Sequence, residues 1–166
     1  MKSVPELQTL RKTMAREIEL LNLFAAEEER LKECIFQKDW EKLEKKIKSL
    51  GPLSEEIARL DSERDTIFQN VKMHIRAGKE ANFYQVIFHF PPHTRNSLTE
   101  LYRQLKLAVL QVQGITTGIE LFVHTVNDSM VKVLDEIYPY RKGKIYCKKG
   151  KPKRTELNPH VLNHHL

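Results

Sequence analysis

Residues able to do chemistry are present in this 166-residue chain, but their spacing does not assemble a reactive centre. His160, His164 and His165 crowd the end of the sequence, and His89 and His93 flank Pro91-Pro92. A metal would need a third ligand and a rigid frame that neither group supplies. His74 and His124 fall within helical patterns and read as surface or boundary positions. Cys34 and Cys147 are solitary and far apart, which excludes a disulfide framework and a four-cysteine zinc site. Cys34 reads as a small core or boundary residue, and Cys147 as a tail thiol. Acid pairs such as Glu55-Glu56 and Asp135-Glu136 are sequence neighbours on helices, so their carboxylates diverge. No Gly-rich phosphate loop, His-Glu-x-x-His or nucleophile elbow occurs. The expectation is a protein that is not an enzyme, holds no cofactor or metal and takes no small-molecule substrate.

The charge is unevenly placed. Arg141 to Arg154 holds eight Lys or Arg and no acid, and Glu156 is the only acid after it, so the last 26 residues carry +7. The first 140 residues hold 20 basic and 21 acidic side chains, a net of −1. The organisation expected is a helical domain over 1–140 and a basic, disordered tail over 141–166. Such asymmetry hints at nucleic acid or an acidic partner. The tail interleaves cations with Tyr140 and Tyr146, which could stack on bases, but it lacks the fold signatures of a base-reading surface. Mean hydropathy is −0.50. No run reaches the ~18 apolar residues of a membrane span. The first residues lack the apolar core of a secretory signal. A cytoplasmic protein without membrane insertion is expected.

The elements that must position any binding face are helical. Leu7, Leu10, Met14, Ile18, Leu21, Phe24, Leu31 and Ile35 recur at the 3–4 spacing of one helical face. Glu27, Glu28, Glu29, Arg30, Lys32 and Glu33 are expected on the other. Asp39 suits a cap for a restart through Trp40, Leu43, Ile47 and Leu50. Gly51-Pro52 interrupts this run by a kink or a full stop, with Ser54 as a new start. The spacing resumes through Leu53, Ile57, Leu60, Ile67 and Val71 and ends at Ala77-Gly78-Lys79. Phe83 to Phe90 reads as a short buried helix closed by Pro91-Pro92. Ser97-Leu98-Thr99-Glu100 has the form of a capping box opening the last helix. In that helix Leu98, Tyr102, Leu105, Val109, Val112, Thr116, Ile119, Val123, Val126, Met130, Val133 and Ile137 alternate steps of four and three. This is a heptad seam, in a rod of roughly 60 Å at ~1.5 Å per residue. Pro139 stops it. The fold class predicted is all-α: an elongated antiparallel bundle or hairpin of long helices with a basic tail.

The last helix carries a second apolar face. Between Lys106 and Glu120 lie 13 residues without formal charge. Leu107, Leu110, Gln111, Gly114, Thr117, Gly118 and Leu121 cluster opposite Val112 and Ile119. Each glycine costs about 1 kcal/mol of helix propensity relative to Ala, and close approach of another helix is the usual offset. Either the chain's own segments cover this face, or it receives a partner's amphipathic helix. Self-dimerisation is a third way to cover it.

The order of these features resembles the FlgN-like family of flagellar export chaperones. The resemblance rests on Glu27-Glu28-Glu29-Arg30-Leu31 within an N-terminal helix, then Asp39-Trp40 through Leu43 and Lys46. A long final helix and a tail opening with Tyr140 and Gly143 complete it, over most of residues 7–143. Where members carry Asn-x-x-Asn-x-x-Leu-Leu, this chain reads Gln113-Gly114-Ile115-Thr116-Thr117-Gly118-Ile119-Glu120-Leu121. The resemblance implies a cytoplasmic, non-catalytic helical chaperone. It would bind hook-associated proteins and deliver them to the type III export apparatus, its seven uncharged-face residues meeting the client. The basic tail would be a handle for an acidic export component or a mobile cover for the groove. The residues alone leave open a coiled-coil nucleic-acid-associated protein or a structural adaptor with a basic tail.

Overall fold

A computed structural model of the protein describes residues 5–78 and 80–137. The basic tail, Cys147, Pro139 and the C-terminal histidines lie outside the described residues. Four helices follow one another: α1 (Pro5–Gln37), α2 (Trp40–His74), α3 (Phe83–Ile87) and α4 (Pro92–Ile137). No strand occurs among the described residues. The chain divides into two units, residues 1–122 and residues 123–166. In the second, the described part is the closing stretch of α4.

Both long N-terminal helices stop in the same way. After α1, Asp39 N–H donates to the Cys34 carbonyl at 3.0 Å and Lys38 N–H to the Ile35 carbonyl at 3.1 Å. After α2, Ala77 donates to Lys72 and Arg76 to Met73 at 3.0 and 3.1 Å. These paired bonds satisfy the orphan carbonyls of a helix end. The left-handed residue they require is Lys38 (φ 57°) in one case and Arg76 (φ 53°) in the other, not the nearby Gly78. Asp39 then caps α2, its Oδ1 accepting from Lys42 N–H at 3.1 Å, as its position in the sequence suggests.

Gly51-Pro52 does not break α2. The helix runs from Trp40 to His74 with Pro52 inside it, so neither a stop nor a restart at Ser54 occurs. Proline removes the bond to the carbonyl four residues back. Gly51 and Pro52 are both exposed, so solvent reaches the freed carbonyl, while Ile57, Leu60, Ile67 and Val71 hold the helix to its neighbours.

Ion pairs across α1 and α2 fix them as an antiparallel hairpin. Arg64 Nε lies 2.8 Å from Glu17 Oε2, and His74 Nδ1 lies 3.5 Å from Glu6 Oε1 at the open end. Lys46 meets Glu27 near the turn. α4 lies along the hairpin parallel to α1: Thr116 meets Glu28 and Phe122 meets Phe36. The core is built from Leu10, Met14, Leu21 and Ala25 of α1, Val71 of α2, and Leu98, Leu105, Ala108 and Val112 of α4.

α3 closes one end of this core. Asn82 and Gln85 form a reciprocal capping box at its start. Phe83 stacks on Tyr102 at 4.1 Å, and Val86 and Ile87 are buried. The short buried helix expected here is thus present, though Phe88 just beyond it is exposed. α4 starts earlier than expected. Pro92 opens it, and the Pro91 carbonyl accepts from Arg95 N–H at 2.9 Å. A fixed φ and a missing donor suit proline to a first helical turn, so Ser97 to Glu100 lie inside the helix and cap nothing.

Leu98 is fully buried and Leu110 is 61% exposed on the same helix. Leu98→Ala is therefore expected to destabilise the protein by about 3 kcal/mol. Leu110→Ala should stay within about 0.5 kcal/mol of the parent. Denaturant unfolding followed by helical circular dichroism measures both.

Candidate client groove

The parallel packing of α1 and α4 leaves a groove where α1 approaches its end. Glu29, Lys32, Ile35 and Phe36 form one wall; Leu110, Gln111, Gly114, Ile115, Gly118, Ile119 and Phe122 form the other, around a space of about 380 Å³. Phe36 and Phe122 lean together at one end, with ring centroids 4.8 Å apart. Glu29 and Lys32 pair at 3.0 Å on the rim. The arrangement offers aliphatic and aromatic surface with polar groups at its edge, the make-up of a site for an amphipathic helix.

All seven residues expected on the uncharged face are exposed: Leu107, Leu110, Gln111, Gly114, Thr117, Gly118 and Leu121. The structure brings Leu110, Gln111, Gly114 and Gly118 into the groove. Leu107, Thr117 and Leu121 lie on the adjoining surface of the helix. The chain's own described segments do not seal this face. A Cβ added to Gly114 or Gly118 would meet nothing within 4 Å. Close packing inside the chain therefore does not account for these glycines. They lower the α4 wall and leave backbone open to an incoming surface.

The α1 wall was not anticipated from sequence. Phe36 adjoins Ile35, the last residue of the periodic face, and an additional aromatic there was the available signal. A second departure concerns Glu28. It was assigned with its acidic neighbours to the outer face, yet it is only 6% exposed. The apolar spacing of α1 steps from Phe24 to Leu31, and Glu28 occupies the vacant place between them. Thr116 Oγ1 lies 2.6 Å from Glu28 Oε1 and 3.0 Å from the Val112 carbonyl. The hydroxyl thus ties α4 to α1 beside the groove. Glu28 Oε2 has no hydrogen-bond partner. Burial pushes the Glu28 carboxyl above its ordinary value of 4.5, with the Thr116 bond opposing and nearby Glu29 adding to the rise.

The heptad seam is divided. Leu98, Leu105 and Val112 are buried, whereas Val123, Val126, Met130, Val133 and Ile137 are exposed. One 18-residue window of α4 is apolar enough by length and composition to cross a membrane, with mean hydropathy 1.2. Among the described residues, no group of three His, Cys, Asp or Glu side chains is placed to hold a metal ion.

A long-helix bundle with an open apolar groove and no assembled chemistry defines a helical binding protein. The model of the FlgN protein family matches residues 1–154, and the chain belongs to that family. It is accordingly a flagellar type III export chaperone, a class of binding proteins and not of enzymes. No curated protein and no solved structure matches the chain.

A raised carboxyl pKa in the fold means that Glu28 favours folding at pH below 4.5. That contribution is lost as pH rises through the higher folded value, because the buried, half-satisfied carboxylate must then ionise. Glu28→Gln keeps an acceptor for Thr116 and removes the charge. It should raise stability at pH 7 by about 1 kcal/mol, with the gain disappearing below pH 4.5. Urea midpoints across that range check the sign.

Proposed function

We propose that this chaperone escorts hook-associated proteins in the cytoplasm, seating a client's amphipathic helix in the groove between α1 and α4. The observation that carries the reading is the uncovered groove itself, walled by Leu110, Ile115 and Ile119 on one side and by Ile35 and Phe36 on the other. Gly114 and Gly118 admit a helix close to the α4 backbone, and the Phe36–Phe122 pair gives an aromatic end against which a leucine or methionine can pack. The exposed leucines outside the groove, Leu107 and Leu121, extend the apolar surface for a client longer than the groove.

The apolarity of α4 favours this role over a membrane span. Leu98, Leu105 and Val112 already form the core with α1, and withdrawing them into lipid would dismantle it. Energetics favour a reversible complex. Each leucine-sized anchor buried contributes about 1.5–3 kcal/mol, and association costs at least about 4 kcal/mol in lost freedom. A few anchors therefore hold a client firmly enough to keep it from aggregating and loosely enough to release it at the export apparatus.

Leu110→Arg and Gly118→Arg each place a guanidinium where the client's apolar face would lie, at a desolvation cost of about 2 kcal/mol or more. Both positions are exposed, so helicity should be unchanged. In co-purification with hook-associated proteins, each variant is expected to lose capture at least about tenfold. Undiminished capture by both variants would place the client elsewhere.

A further inference from the structure

The groove accounts for the middle of α4 and leaves a second apolar surface unexplained. Val123, Val126, Met130, Val133 and Ile137 continue the seam that α4 buries upstream as Leu98, Leu105 and Val112, without a change of period, yet all five are exposed. In heptad terms Val123, Met130 and Ile137 take one core position and Val126 and Val133 the other. The charges of this stretch stay off the seam: Asp128, Lys132 and Asp135 fall on the outer side, and Glu136 flanks it only at the end.

The stripe is also a mirror of itself about Asp128. Reversed end for end, Val123 falls at the level of Val133 and Val126 at the level of Met130. In an antiparallel pair this sets one core position against the other in every layer, with Asn127 facing Asn127 and Ser129 facing Ser129 of the second copy. No like charges meet in these layers. A two-fold interface requires such self-complementarity, whereas a foreign helix has no use for it. The receiving geometry is on the same surface. Val126, Ser129, Met130 and Val133 border a depression of about 380 Å³ together with Thr125 and Leu134. Four residues in that heptad order form the hole that takes a knob from a facing helix, and the two-fold places the second copy's Val126 over it.

We propose that residues 123–137 of α4 pair with the same residues of a second copy of this chain as a short antiparallel coiled coil centred on Asp128. The pairing is separate from the client groove and does not depend on it.

Its test uses the full chain alone. Light scattering at high micromolar concentration should give twice the 19.5 kDa of one chain. Met130→Glu puts a carboxylate into two layers and should raise the dimer dissociation constant at least about a hundredfold, with helicity unchanged. Met73→Glu, at an exposed position of α2, should leave the dimer intact. With Cys34 and Cys147 replaced by serine, an equal mixture of Val126→Cys and Met130→Cys chains should cross-link on oxidation, while neither variant cross-links alone. A monomeric parent chain, a dimer that survives Met130→Glu, or efficient cross-linking of Val126→Cys with itself would each overturn the proposal.

Discussion

The structure depends on a mismatch between what α4 offers and what the hairpin can cover. α4 is apolar along one seam and, through its middle, on a second face. The α1–α2 hairpin buries only Leu98, Leu105, Ala108 and Val112 of it. Apolar area left in water carries a standing free-energy penalty, and isolated exposed leucines are ordinary on any protein surface. Here they are not isolated. Leu107, Leu110 and Leu121 line up with Val123, Val126, Met130 and Val133 on one helix, each exposed by between 42% and 67%. A contiguous surface of this kind marks a place for another molecule.

Two devices keep the rest of the fold firm enough to present that surface. The first is the set of pairs that register the hairpin, Glu17 with Arg64 and Glu6 with His74, which tie helices otherwise joined by a short turn. The second is the Glu28–Thr116 contact, which ties α4 to α1 beside the groove. Its carboxylate has one unsatisfied oxygen and so works against stability at neutral pH. A well-packed leucine in its place would bind α1 to α4 with less positional demand; the hydrogen bond instead sets where Thr116, and with it Ile115 and Ile119, stands against α1.

Much of this was legible in the residues. The break at Asp39, the length of α4 and its two apolar faces all followed from spacing, because periodicity reports which side of a helix avoids water. Pro52 was misleading because a proline's cost depends on whether solvent can reach the carbonyl it frees, which local sequence does not state. Ser97 to Glu100 had the form of a cap, but Pro92 offered an earlier start and the intervening residues could join the helix. Glu28 looked like its acidic neighbours until the vacant place between Phe24 and Leu31 was seen to be its own. The groove was half legible: its α4 wall is a pattern within one helix, while its α1 wall exists only because two segments distant in sequence meet.

The central claim is that the surface around Leu110 is wet in the free chaperone and dry with a client in place. Methyl NMR with a soluble paramagnetic probe measures this directly, taking Leu98 and Leu105 as buried references within the same helix. The account predicts strong broadening at Leu110, Ile115 and Ile119 in the free chain, reduced toward the level of Leu98 when a hook-associated protein's helix is added. Protection of Leu110 equal to that of Leu98 in the free chain, or broadening that persists in the complex, would contradict it.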